Sequence, residues 1–215
     1  MGLYLEDFSL LNKITNKLKG KEFTLKHIKN ISRIDKDISI IISESKIRKC
    51  EIPQIRPKKL EILELRIRCE FYNCYNLIAG IDPGGTTGFA IVCGNNVLFQ
   101  NIFENKNYLL QIIESIHSEI GISTIKIGTG SPPERNQIIN SLRKYSAILQ
   151  LVNEKSSGSG SHTAAATRIA LRKEMTKPPL FYKPKDGEIA WIQQESRRLS
   201  KGCLLYTSDA DDEGL

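Results

Sequence analysis

Residues 77–92, LIAGIDPGGTTGFAIV, place one acid at the end of an apolar run, follow it with a turn of glycine and threonine, and then resume the apolar pattern. The two runs read as strands, with Asp82 where the first meets the turn. An apolar strand cannot hide an unpaired carboxylate without a large free-energy cost. An acid at its mouth therefore faces a cation, a phosphate-bound metal or a hydrogen-bonding turn. Gly84, Gly85 and Gly88 allow a tight turn and close approach of a phosphate or metal. The plain alternative is a hairpin in which Asp82 only caps the turn.

Downstream of this pair, Gly94-Asn95-Asn96 is a tight connection into a third strand, NVLFQNIF. Leu109, Ile112, Ile113, Ile116 and Ile120 then mark one helical face, closed by Gly121. TIKIG reads as a short strand, and SPPERNQIINSLRKY carries helix-start signals in Ser131, Pro132 and Pro133. AILQLV is a further strand, SHTAAATRIALRKEM a helix broken by Pro178 and Pro179, and GEIAWIQQESRRLS a last helix. From residue 76 the order is β-β-β-α-β-α-β-α. Later strands that need crossover connections predict an α/β fold with a mixed sheet and helices on its faces.

Upstream, residues 1–45 read as a small N-terminal α/β segment. In it, FSLLNKITNKLKG forms an amphipathic helix with Phe8, Leu11, Ile14 and Leu18 on one face. FTLKHIKN and ISIIISES follow as strands. Residues 46–75 read as a basic linker with Pro53 and Pro57. They end in LEILELRIRCEF, whose period is ambiguous between strand and helix. No apolar run approaches the length of a membrane-spanning helix, and the N-terminus carries acids where a signal peptide would carry a basic region. Cys50, Cys69, Cys74 and Cys93 form no CxxC pair, so the expectation is reduced thiols in a cytoplasmic protein.

GIDPGGTTGFAIV resembles the first strand pair of the RuvC Holliday-junction resolvases and the YqgF-type nucleases, in which the first acid of a metal site stands in a G-[IL]-D-x-G context. The resemblance covers residues 76–175 and implies a ribonuclease H-like fold. VNEKSS looks like the family segment D-E-R-[LT]-[ST], which implies that Glu154 is the second site acid. HTAAATRIAL resembles the last core helix, D-x-x-A-A-x-x-I-L, and puts His162 where the third acid stands. By that resemblance Asp82 and Glu154 are metal ligands from adjacent strands, with His162 completing the catalytic set and Mg²⁺ or Mn²⁺ as the cofactor. Carboxylates hold such ions so that they activate water and steady the leaving oxygen, whereas an imidazole suits Mn²⁺ better than Mg²⁺. The RuvC glutamate that follows the fourth strand is absent, because the equivalent stretch is Gly128-Thr129-Gly130. The implied partner is nucleic acid, DNA or RNA, branched or structured. Arg135, Arg168, Arg172 and Lys173 are the candidate contacts to it, although a solvated helix face is the favoured explanation of the last three.

Two other readings stand beside this one. A protein of the same fold without the third acid would bind nucleic acid, or act as a scaffold, without cleaving. GIDPGGTTG also resembles the first phosphate loop of Hsp70- and actin-type ATPases, GIDLGTTNS, although those need a second acidic phosphate loop. A Walker or dinucleotide loop is disfavoured further, because the glycine turn leads into a strand, whereas those loops open a helix.

Residues 203–213, CLLYTSDADDE, closely resemble a translated transposase-type sequencing adaptor, CLLYTSDAADE, departing only at Asp211. The expectation is that residues 203–215 are an artefact and that the native chain is cut after Gly202. Removing them takes away Asp209, Asp211, Asp212 and Glu213 and no Lys or Arg, so the formal charge rises from +7 to +11. Such a balance favours a polyanionic partner. Deleting residues 203–215 is expected to leave the melting temperature almost unchanged, since they bring no organised apolar face. A loss of several kcal/mol in urea unfolding would identify them as native structure instead.

Overall fold

Two sheets, with one helix wedged between their cores, make up the computed structural model, which describes residues 1–48, 50–154, 160–178 and 186–199. The first sheet is parallel and holds β1 (Gly2–Tyr4), β2 (Lys26–His27), β3 (Ile41–Ser43) and β4 (Gln54–Ile55) in the order β2-β1-β3-β4. Helix α1 (Phe8–Leu18) starts at Asp7, whose carboxylate accepts from the Ser9 and Leu10 amides at 2.7 and 3.1 Å. Its buried contacts are Ile14 and Leu18. Phe8, expected on that face, is 74% exposed because it lies in the first turn, beyond the sheet contact.

The stretch read as a linker is folded. A 3₁₀ turn at Leu60–Ile62 leads into helix α2 (Leu63–Tyr72), and β4 belongs to the first sheet. The ambiguous period has a physical cause. Leu63 and Ile67 enter the core of the N-terminal sheet, whereas Ile62, Leu65 and Cys69 enter the core of the larger one. A helix buried on two opposite sides shows apolar residues at alternate positions and so imitates a strand.

Asn73, with φ 50°, ends α2 in the left-handed conformation. Cys74 follows and is joined to Cys93 in a disulfide, while Cys50 and Cys69 stay free. This corrects the expectation of four reduced thiols. Residues 19 apart in sequence meet only because the next two strands return Cys93 to the end of α2. The pairing also removes cysteine usage as an argument for a reducing, cytoplasmic setting. No helix among the described residues is long and apolar enough to cross a membrane.

The larger sheet contains β5 (Ile78–Asp82), β6 (Thr87–Cys93), β7 (Asn96–Phe103), β8 (Thr124–Gly128) and β9 (Leu149–Val152) in the order β7-β6-β5-β8-β9. β5, β6 and β7 form the expected antiparallel meander, and β8 and β9 add in parallel, giving a mixed sheet. Helix α3 (Lys106–Glu119) crosses to β8 and α4 (Pro132–Ser141) to β9. They are followed by α5 (His162–Leu171) and α6 (Asp186–Leu199). The expected artefact at 203–215 lies outside the described residues.

α5 rests on β5 and β6 with almost nothing between backbone and backbone. A Cβ at Gly80 would collide with the Ala166 carbonyl and with Ala170, and one at Gly88 would collide with the His162 carbonyl. Lys126, 5% exposed on β8, holds the far end of the helix by donating to the Ala170 and Arg172 carbonyls at 2.8 and 2.5 Å. Gly80→Ala is therefore expected to cost about 2–3 kcal/mol by overpacking. Gly85→Ala, where an added Cβ meets nothing within 4 Å, should leave stability nearly unchanged. Urea unfolding of both variants checks the pair, and equal stabilities would refute the close seating.

Candidate functional site

Asp82 is the last residue of β5 and pairs across the hairpin with Gly88. Because Gly88 has no side chain, the first turn of α5 can settle on the hairpin beside it. Ser161 caps that turn, its hydroxyl accepting from the Ala164 amide at 3.3 Å. The result is that His162 Nδ1 lies 3.2 Å from Asp82 Oδ2, with Asp82 largely buried and His162 half exposed. The partial positive charge at the start of α5 also favours a carboxylate there.

Glu154 reaches the same place by a route the sequence did not disclose. It was expected on a strand adjacent to that of Asp82, but β8 lies between β5 and β9. The gap is bridged because β8 ends in Gly128. A Cβ on Gly128 would overlap Glu154 Oε1, so the glutamate side chain occupies the volume that a side chain at 128 would fill. Oε1 accepts from the Gly130 amide at 2.9 Å, which fixes the carboxylate across the end of β8. Burial pushes the Glu154 carboxyl above its ordinary range. The Gly130 hydrogen bond opposes that, the negative charge of Asp82 adds to it, and Arg172 and Arg135 pull it back. The parallel register of β5 and β8, with Ile81 opposite Ile127, sets Asp82 beside Gly128 and so brings both acids to one end of the sheet.

The four candidate cations fare differently. Arg135 is 5% exposed and is no surface contact. Its guanidinium donates to the Thr129 carbonyl at 2.9 Å and to Asn136 Oδ1, and forms an ion pair with Glu188. A planar fork with five donors can close several chain ends at once, which is why this Arg is drawn inward as a strut between α4 and α6. Arg172 is half-buried and donates to the Asn153 carbonyl at 2.5 Å, tying the end of α5 to the segment that carries Glu154. Arg168 is also half-buried, with its guanidinium beside Gly160. Lys173 alone of the four is exposed.

Three contributors were not identified from the sequence. Gly128 makes room for Glu154 and Gly130 orients it, and neither glycine has a chemical signature of its own. Lys126 does have one, being a lone cation in the otherwise apolar strand TIKIG, and burial lowers its pKa.

Among the described residues no group of three or more His, Cys, Asp or Glu side chains is arranged to hold a metal ion. Asp82 and Glu154 at this end of the sheet are hard oxygen donors, the kind a divalent ion takes with water and a substrate phosphate completing its shell. Mg²⁺ is commonly held in that way by one or two carboxylates. The chain matches no known family model and no curated protein sequence.

The raised pKa of Glu154 has a definite sign in stability. The folded value lies above the unfolded one, so ionisation opposes folding. Stability is highest below the ordinary glutamate range and falls as pH rises through that range to the folded pKa. Glu154→Gln, which keeps an acceptor for the Gly130 amide, should flatten this part of the stability–pH curve. Gly128→Ala should flatten it too, by expelling the carboxylate into water. Urea midpoints between pH 4 and 8 read the effect, and an unchanged slope in both variants would contradict the placement of Glu154.

Proposed function

We propose that this chain is a metal-dependent, nuclease-related protein of the ribonuclease H-like class that acts on structured nucleic acid. Asp82 and Glu154 are its ligand acids, and His162 stands in the third position. The observation that carries the proposal is the reach of Glu154 across Gly128 into the neighbourhood of Asp82. Further support comes from the mixed sheet with Asp82 at the end of its central strand, and from the basic balance of the chain.

The residues divide the work. The main chain of β5 fixes Asp82, and the Gly130 amide fixes Glu154. His162 holds Asp82 Oδ2 from the solvent side and adds a nitrogen donor, which shifts preference from Mg²⁺ toward Mn²⁺. A bound ion would supply Lewis-acid stabilisation of phosphoryl oxygens and an activated water.

A second reading has its own observation. An imidazole, held against Asp82 Oδ2 at 3.2 Å, stands where the resemblance implies a third acid, and a site one acid short favours a protein that binds nucleic acid without cleaving it.

Cleavage of branched DNA and structured RNA by the wild type, Asp82→Asn and His162→Asp, each in Mg²⁺ and Mn²⁺, separates the two. Weak, Mn²⁺-dependent cleavage is expected in the wild type. Asp82→Asn should lower it about a hundredfold or more, the equivalent of several kcal/mol of transition-state stabilisation. His162→Asp should raise activity in Mg²⁺. Cleavage untouched by Asp82→Asn would end the metal-site mechanism, and binding without cleavage in all three proteins would establish the second reading.

A further inference from the structure

The chain contains a single tryptophan, Trp191, and it is 41% exposed on α6. It lines a groove of about 440 Å³ together with Ile192 and, on the facing side, Pro133, Glu134, Ser131 and Gly85. The groove adjoins the candidate site on two sides. Gly85 lies in the turn three residues after Asp82, and Ser131 follows Gly130, whose amide binds Glu154. An added Cβ at Gly85 meets nothing within 4 Å, so the groove is not crowded at that residue.

The helix that carries the indole is fastened by an ion pair. Glu188, three residues before Trp191 and so on nearly the same helix face, forms the ion pair with Arg135 that fastens α6 to α4. Trp191, Pro133 and Ile192 give the groove apolar lining, and the indole is its flat surface. Its polar groups are the Ser131 hydroxyl and the Glu134 carboxylate, bonded to each other at 2.6 Å. Arg197 and Arg198, exposed in the last turn of α6, bring positive charge to the end of the same helix. A flat π-surface with polar groups at its edge and cations nearby matches a nucleobase with its phosphate. In a duplex the base faces are already stacked, so only an unpaired base can use such a surface.

We propose that the Trp191 groove stacks an unpaired nucleobase of the strand whose phosphate lies at Asp82 and Glu154, which makes single-stranded or locally unpaired nucleic acid the substrate class. This rests on the nucleic-acid reading of the site given above.

Because Trp191 is the only tryptophan, its emission reports on this groove alone. The full chain is titrated with oligothymidylate, with oligouridylate and with a blunt, fully paired DNA duplex. Binding is followed independently by the anisotropy of end-labelled strands. The expected result is quenching of Trp191 in step with single-strand binding and none with the duplex. Trp191→Leu should weaken single-strand binding about tenfold to a hundredfold, and Trp191→Phe should retain most of it. Single strands that bind by anisotropy without changing the emission would overturn the groove assignment and leave the acid site standing if Asp82→Asn still abolishes cleavage. Equal binding by Trp191→Leu would overturn it as well. Quenching without any cleavage would support the groove while removing the catalytic reading. No binding by any strand would remove both.

Discussion

The contact on which the rest of this molecule depends is the seating of α5 directly on β5 and β6 at Gly80 and Gly88. Backbone against backbone leaves no room for adjustment, so the helix is fixed both along the sheet and in its distance from it. His162 meets Asp82 because the first turn of α5 is held at Gly88. Arg172 meets the Asn153 carbonyl because the last turn is held by Lys126. The site is therefore set by main-chain packing and by a buried ammonium, and only its final shape by the acidic side chains.

A similar economy governs the relation between the two sheets. α2 sends Leu63 and Ile67 into one core and Leu65 and Cys69 into the other, joined there by Ile62 of the preceding turn, and the disulfide at Cys74 pins its end to β6. A helix shared in this way couples the cores, since it cannot leave one without exposing apolar surface in the other. The Arg66–Glu119 ion pair at 3.3 Å adds a polar link from α2 to α3.

Much of this was legible in the sequence, and the remainder was hidden for identifiable reasons. The meander from 78 to 103 and the alternation that follows were readable because each element shows a single periodicity and each turn carries its own glycine or asparagine. α2 was not readable, because two buried faces superimpose two patterns. Asp82 and His162 could be nominated from local context, whereas the inward turn of Arg135 depends on Glu188, 53 residues away, and the pairing of Cys74 with Cys93 depends on a hairpin return. Local chemistry was visible, and partnerships made by the fold were not. The position of Glu154 belongs to the second kind, since it required the strand order and the emptiness of position 128 together.

That emptiness has a bearing on how position 128 itself should be read. The space at the end of β8 admits one side chain, and here it is supplied by residue 154 from beyond the neighbouring strand. A glycine at 128 is therefore no absence of charge, because the volume it leaves beside Asp82 holds a carboxylate. A side chain at 128 and an inward Glu154 exclude each other, so an acid introduced at 128 would have to displace the one at 154.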